Sequence, residues 1–148
     1  MMDTVVLTDV GEIDRVLRSY PWMDLEIDTF QHGELVLRGG VALDTSVTPD
    51  LFLHFEDVFF VIAPSAWKTD TETTVLTAHD GSEALVPLKL PYRVDLGYQI
   101  FQLRPEDREG ASCWIAARSI KMRQLRMPDD PPKLKEGWEG RGGWMPLP

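Results

Sequence analysis

The sequence predicts one α+β domain, with an N-terminal helix packed on a mainly antiparallel β-sheet, sandwich or partly closed barrel of six or seven strands. Three observations carry that expectation. Apolar residues recur at helical spacing only over residues 10–20 and at a period of two in most runs after residue 25. No helical pattern separates consecutive strand-like runs, as parallel βαβ units require. At 148 residues the chain has the length of one domain and buries about 70% of its unfolded surface, enough for a core without covalent staples.

A short strand at Val5–Leu7 comes first. Asp9, with Glu12 three residues on, has the form of a helix N-cap and its reciprocal partner, opening a helix over residues 10–20. Val10, Ile13, Val16, Leu17 and Tyr20 fall on one face, Glu12, Asp14, Arg15 and Arg18 on the other, and Pro21 ends it. Leu25 and Ile27 then alternate with Glu26 and Asp28, and Leu35 and Leu37 with Glu34, Val36 and Arg38, forming a hairpin. Its loop is Gln31-His32-Gly33, with Gly33 free to take the left-handed conformation. Gly39-Gly40 marks a bend, beyond which Val41 and Leu43 continue the strand, and residues 44–50 are loop-like.

Residues 51–63 read as one strand, alternating as far as Glu56 and wholly apolar from Val58 to Ala63. A run with no polar face belongs at the centre of a sheet, covered on both sides. Residues 73–79 and 83–90 form a hairpin on Asp80-Gly81, with Pro87 pushing the second strand toward an edge. Val94, Leu96, Tyr98 and Ile100 alternate next, and residues 111–122 make a last strand. The domain spans residues 1–127; residues 128–148 hold five prolines, four glycines, Trp138 and Trp144, have no period, and read as a tail.

Net charge is −9, unevenly placed: residues 1–117 carry 20 acids and 8 bases, residues 118–148 carry 4 and 7. An acidic body repels phosphate backbones and speeds encounter with basic partners, which argues against nucleic acid as a ligand. The longest apolar run has six residues, against the roughly 20 of a membrane-spanning helix, so no membrane partner is expected. One cysteine and no secretory leader pattern place the protein in a reducing, bacterial-type cytosol, and a cytoplasmic location is the expectation.

Residues 110–114, through Ser112-Cys113-Trp114, resemble the nucleophile segment of papain-like cysteine proteases; that family carries a second cysteine and a downstream histidine, whereas here no histidine follows His79. His32, His54 and His79 lack zinc-site spacing and are expected to be solvated. Phosphate-binding, dinucleotide-binding and nucleophile-elbow motifs are absent, so no catalytic, cofactor or metal residues are assigned. What remains are candidate contact residues: the acidic stripe Asp24, Glu26 and Asp28, the basic cluster Arg118, Lys121 and Arg123 with Arg126 beside it, and the tail residues Trp138 and Trp144.

These features point to a non-enzymatic, acidic protein-binding protein, such as a toxin-neutralising immunity protein or an adaptor, whose partner is a protein of basic character. The alternatives are a small-ligand binder or enzyme with a cavity lined by Phe52, Phe60, Tyr98 and Trp114, and a homo-oligomer joined through its C-terminal tails.

Overall fold

The computed structural model describes residues 5–43, 47–79, 99–106 and 112–130. Among them the chain forms β1 (Val5–Leu7), α1 (Val10–Arg18), β2 (Met23–Gln31), β3 (Glu34–Gly40), β4 (Leu51–Glu56), β5 (Phe60–Ile62), β6 (Ala66–Thr69), β7 (Leu76–His79), β8 (Gln99–Leu103), β9 (Cys113–Ala117) and β10 (Ser119–Gln124). The strands make two antiparallel sheets, ordered β1-β10-β4-β3-β2-β6 and β5-β9-β8-β7. One helix and a two-layer sandwich result, and neither sheet closes into a barrel among the described residues.

The helix opens where the sequence signals it but stops at Arg18, two residues short of the expected Tyr20, with Ser19 as its C-cap donating to the Val16 carbonyl. Asp9 accepts the Glu12 amide at 3.0 Å, and Ile13 and Leu17 are buried. Tyr20, one turn on, is also buried. Asp14 lies on the face expected to meet water, yet its Oδ1 accepts the amides of Val75 and Leu76, each at 2.8 Å, and so fastens the helix to the start of β7. Between β2 and β3 the loop is two residues, not three: His32 and Gly33 both have positive φ (55° and 77°), as a type I′ turn requires. Gly39 belongs to β3 and is needed for close approach. A Cβ there would stand 2.8 Å from Leu25 Cδ2 and 2.9 Å from both Leu51 Cδ1 and Met23 Sδ. The strand ends at Gly40, and Val41 instead donates to Asp50 Oδ2.

Ten strands stand where the sequence counts six or seven, because two runs expected to be single strands each cross from one sheet to the other. β4 and β10 pair in the large sheet, and their continuations β5 and β9 pair in the small one. The two-stranded ribbon turns its corner at Asp57 (φ 56°) and Arg118, which are joined by an Arg118 Nε to Asp57 Oδ2 contact of 2.6 Å. Bends of this kind are how strands switch sheets in a sandwich. Residues Val58 to Ala63 are therefore not central: β5 is an edge strand of the small sheet, with Ile62 exposed. The remaining extra strand, β6, is short and pairs only with β2 in the large sheet. The second strand of the Asp80-Gly81 hairpin and most of the run from Val94 lie outside the described residues.

One core fills the sandwich, with Phe55 of the large sheet edge-on to Phe101 of the small sheet at 5.4 Å. At one end of it sits a buried ion pair. Arg126 and Asp50, 5% and 2% exposed, meet through Nε–Oδ1 at 2.6 Å and Nη2–Oδ2 at 2.9 Å. Arg126 Nη1 donates to the carbonyls of Met127, Pro128 and Asp130. The Tyr20 hydroxyl donates to the Arg126 carbonyl and accepts from Gln124 Nε2. Burial raises the Tyr20 phenol above its ordinary pKa, and the hydrogen bond to Asp50 raises the Arg126 guanidinium.

Breaking a buried pair strands a charge, so Arg126→Met is expected to lower unfolding stability by about 3–5 kcal/mol, measured by urea titration. The double variant Asp50→Leu with Arg126→Met should recover a large part of that loss, because no unpaired charge is left inside.

Candidate functional site

The outer face of the large sheet brings the acidic stripe and the basic cluster onto one surface. Arg123, Phe52, Arg38 and Glu26 form a row across β10, β4, β3 and β2, and Lys121, His54 and Val36 form the next. Most of these charges already have partners within the chain. Glu26 accepts from Arg38, Lys121 Nζ lies 3.2 Å from Glu56 Oε2, Arg118 pairs with Asp57, and the Arg123 guanidinium stacks 5.2 Å from the centre of the Phe52 ring. Asp28 is displaced from the stripe by a bulge between Ile27 and Thr29 and faces solvent. Trp138 and Trp144 lie outside the described residues.

Glu34, His54 and Glu56 offer one donor atom each within 4.8 Å of one another, the arrangement among the described residues that could hold a metal ion. His54 Nε2 stands 3.4 Å from Glu34 Oε1, an ion-pair distance without the alignment of a hydrogen bond. Glu56, however, is already engaged. Its Oε1 accepts from the Ser119 hydroxyl at 2.7 Å and its Oε2 faces the Lys121 ammonium, which together hold its carboxyl below the ordinary glutamate range. A cation would have to displace that ammonium.

Asp24 differs from its neighbours in the stripe. Its Oδ1 is buried and has no hydrogen-bond partner, and desolvation raises its pKa despite the Lys68 charge that works the other way. It lies on a pocket of about 610 Å³ that runs along edge strand β6. Asp24, Glu26 and Lys68 line it from β2 and β6 together with Trp67; Pro64 comes from the β5–β6 crossover, Glu106 from beyond β8, and Cys113 from the start of β9. Trp67 is 8% exposed, and its indole N–H also lacks an acceptor. Two of the three buried side-chain atoms without partners among the described residues thus belong to residues of this one pocket. Buried polar groups are normally bonded; the Asp24 oxygen and the Trp67 N–H, which belong to opposite faces of the β2–β6 pair, each have room for one more hydrogen bond.

Phe52, Phe60 and Trp114, named for the alternative ligand cavity, do not line this pocket. Phe52 lies under Arg123 on the outer face, Phe60 packs with Ile100 and Trp114, and Tyr98 lies outside the described residues. His79 is not solvated either. It is on β7, 7% exposed, with Nε2 2.8 Å from Gln102 Oε1 and its ring 5.9 Å from that of Trp114. Trp67 and Lys68 carry too short a pattern to be read as a strand from the sequence: β6 is only four residues long, although Trp67 and Thr69 alternate in burial with Ala66 and Lys68. Comparison of the chain with protein-family models, with curated proteins and with solved structures returns no match. No helix among the described residues is long and apolar enough to cross a membrane.

Cys113 is fully buried, and burial pushes its thiol up to about 12. A thiol so placed is protonated at neutral pH and is not a nucleophile. It should stay unreactive toward a disulfide reagent at pH 8 in the folded protein and react fully in urea. Asp24 provides a pH test. A carboxyl with a raised folded pKa costs stability once pH rises above that value, and costs nothing below the unfolded pKa of about 3.9, where it is protonated in both states. Asp24→Asn should therefore raise the urea midpoint at pH 7 and have little effect near pH 3.

Proposed function

We propose that this is a non-enzymatic binding protein that receives a basic group of a partner protein in the β2–β6 pocket, as a toxin-neutralising immunity protein or an adaptor does. The observation that carries the reading is the Asp24 carboxylate, desolvated and with one oxygen unbonded at the wall of a pocket of about 610 Å³. Part of its desolvation cost is already met in the free protein, so an incoming ammonium or guanidinium gains a charge-assisted hydrogen bond at a smaller penalty, which is the advantage of a preorganised site. The net charge of −9 supports the same partner class by steering basic molecules toward the surface.

A small cationic ligand is the second reading, favoured by the volume, which falls within the roughly 300–1,000 Å³ typical of small-molecule sites.

The test is affinity capture from the cells that make the protein, with wild type, Asp24→Asn, and Trp138→Ala with Trp144→Ala as baits. A basic protein held by wild type and by the tail variant, but at least tenfold depleted on Asp24→Asn, supports pocket recognition. Capture that survives Asp24→Asn and is lost with the two tryptophans would move recognition to the tail.

A further inference from the structure

The pairing register of β6 shows how a polypeptide can reach this pocket. In an antiparallel ladder, positions that exchange backbone hydrogen bonds alternate with positions that do not. Ile27 donates to the Ser65 carbonyl at 2.8 Å, so that pair is of the bonded type. Counting along the register in steps of two, Leu25–Trp67 and Met23–Thr69 are bonded, whereas Glu26–Ala66 and Asp24–Lys68 are not. The amides and carbonyls of Ala66 and Lys68 consequently point away from β2, toward the outer edge of the sheet. The Lys68 carbonyl confirms the direction, since it accepts the Glu106 amide at 2.8 Å, and a bridge between Thr69 and Pro105 covers that end. Among the described residues nothing pairs with the Ala66 amide and carbonyl or the Lys68 amide. Ala66 is exposed, and both residues line the pocket.

We propose that β6 is a strand-addition site: an extended, basic segment of a partner protein pairs with the edge at Ala66, which no described residue occupies. This rests on the pocket reading above and adds the manner of docking. Backbone bonds at an open edge supply affinity, and side chains pointing alternately to the two faces supply selectivity. On β6 the two faces are chemically distinct. Glu26 and Asp24 stand opposite Ala66 and Lys68 on one, while Leu25 stands opposite Trp67 on the buried side. On the first face an added strand lies beside Ala66 and the Lys68 side chain, with the Glu26 and Asp24 carboxylates one strand further in, so a long basic side chain set next to Ala66 extends over it to Glu26 while the alternate set meets the Trp67 side. The partner chemistry that fits is an alternation of Lys or Arg with apolar residues, four to seven residues long.

The experiment uses the full chain and two capped heptapeptides, one alternating valine with lysine and one alternating valine with glutamate. Binding is read by fluorescence anisotropy, and the Ala66 amide is followed by hydrogen exchange. The expected result is at least tenfold preference for the lysine peptide, with the Ala66 amide becoming protected when it binds. Ala66→Pro removes an amide that β2 does not use and blocks the edge. It should abolish binding with an unfolding midpoint close to that of wild type. Asp24→Asn should shrink the preference between the two peptides. Lysine-peptide binding that leaves Ala66 exchange unchanged, or that persists in Ala66→Pro, overturns strand addition. In that event sensitivity to Asp24→Asn leaves pocket recognition standing, whereas insensitivity removes both. Equal affinity of wild type for the two peptides also overturns the proposal.

Discussion

The buried contact between Asp50 and Arg126 is the constraint on which the arrangement of the large sheet depends. Each ion costs several kcal/mol to remove from water, and their attraction offsets this only where the remaining bonding capacity is also filled. Here it is filled. Asp50 accepts two guanidinium N–H groups and the Val41 amide, while its backbone binds Gly39, Leu125 and Arg126. Arg126 spends its remaining nitrogen on three carbonyls of the chain that follows it. One pair thereby fixes the end of β3, the start of β4, the end of β10 and, through Tyr20, the end of the helix. Apolar packing holds these elements together, but it is not directional; the ion pair determines where they stop.

The sequence makes the sandwich legible where periodicity and turn chemistry agree, and less so where a run of uniform character changes sheet. The helix cap at Asp9 and the alternation through Leu25 and Leu37 reappear in the fold almost residue for residue. The corner does not show, because Val58 to Ala63 is apolar for a different reason from the one that periodicity suggests. These residues lie past a bend, partly covered at an edge, rather than inside a doubly covered strand. The local signs are Asp57 and Arg118, a charge pair set where each strand-like run breaks. Each looks like a surface residue when read singly, and only the pairing of distant segments reveals that they mark the same turn.

The candidate site was half legible for a related reason. Asp24 belongs to a stripe visible in the sequence, but Glu26 and Asp28 look equivalent to it there. What separates them is a third dimension: Arg38 covers Glu26, a bulge releases Asp28 to water, and Asp24 alone is left desolvated at a pocket wall. Trp67, which completes the site, lies on a strand too short to announce itself by alternation. Buried Asp50 and Arg126 were equally hidden, one in an apparent loop and the other in an apparent basic surface cluster.

The ribbon that turns between the sheets also bears on how the chain is made. Strands β4 and β5 leave their partners β10 and β9 to the far end of the domain, so during synthesis the run from Leu51 to Ile62 emerges long before the segment that completes its pairing. β3 can protect one side of β4 early, but β9, the strand that pairs with β5, is made much later. An exposed Phe-Phe-Val-Ile run in a half-made chain invites association with its neighbours on the ribosome. The charges at Glu56 and Asp57 and the proline at position 64 bracket it on either side. Residues that in the finished protein form a corner and a crossover thus act earlier as gatekeepers against aggregation, while the domain waits for its last strands.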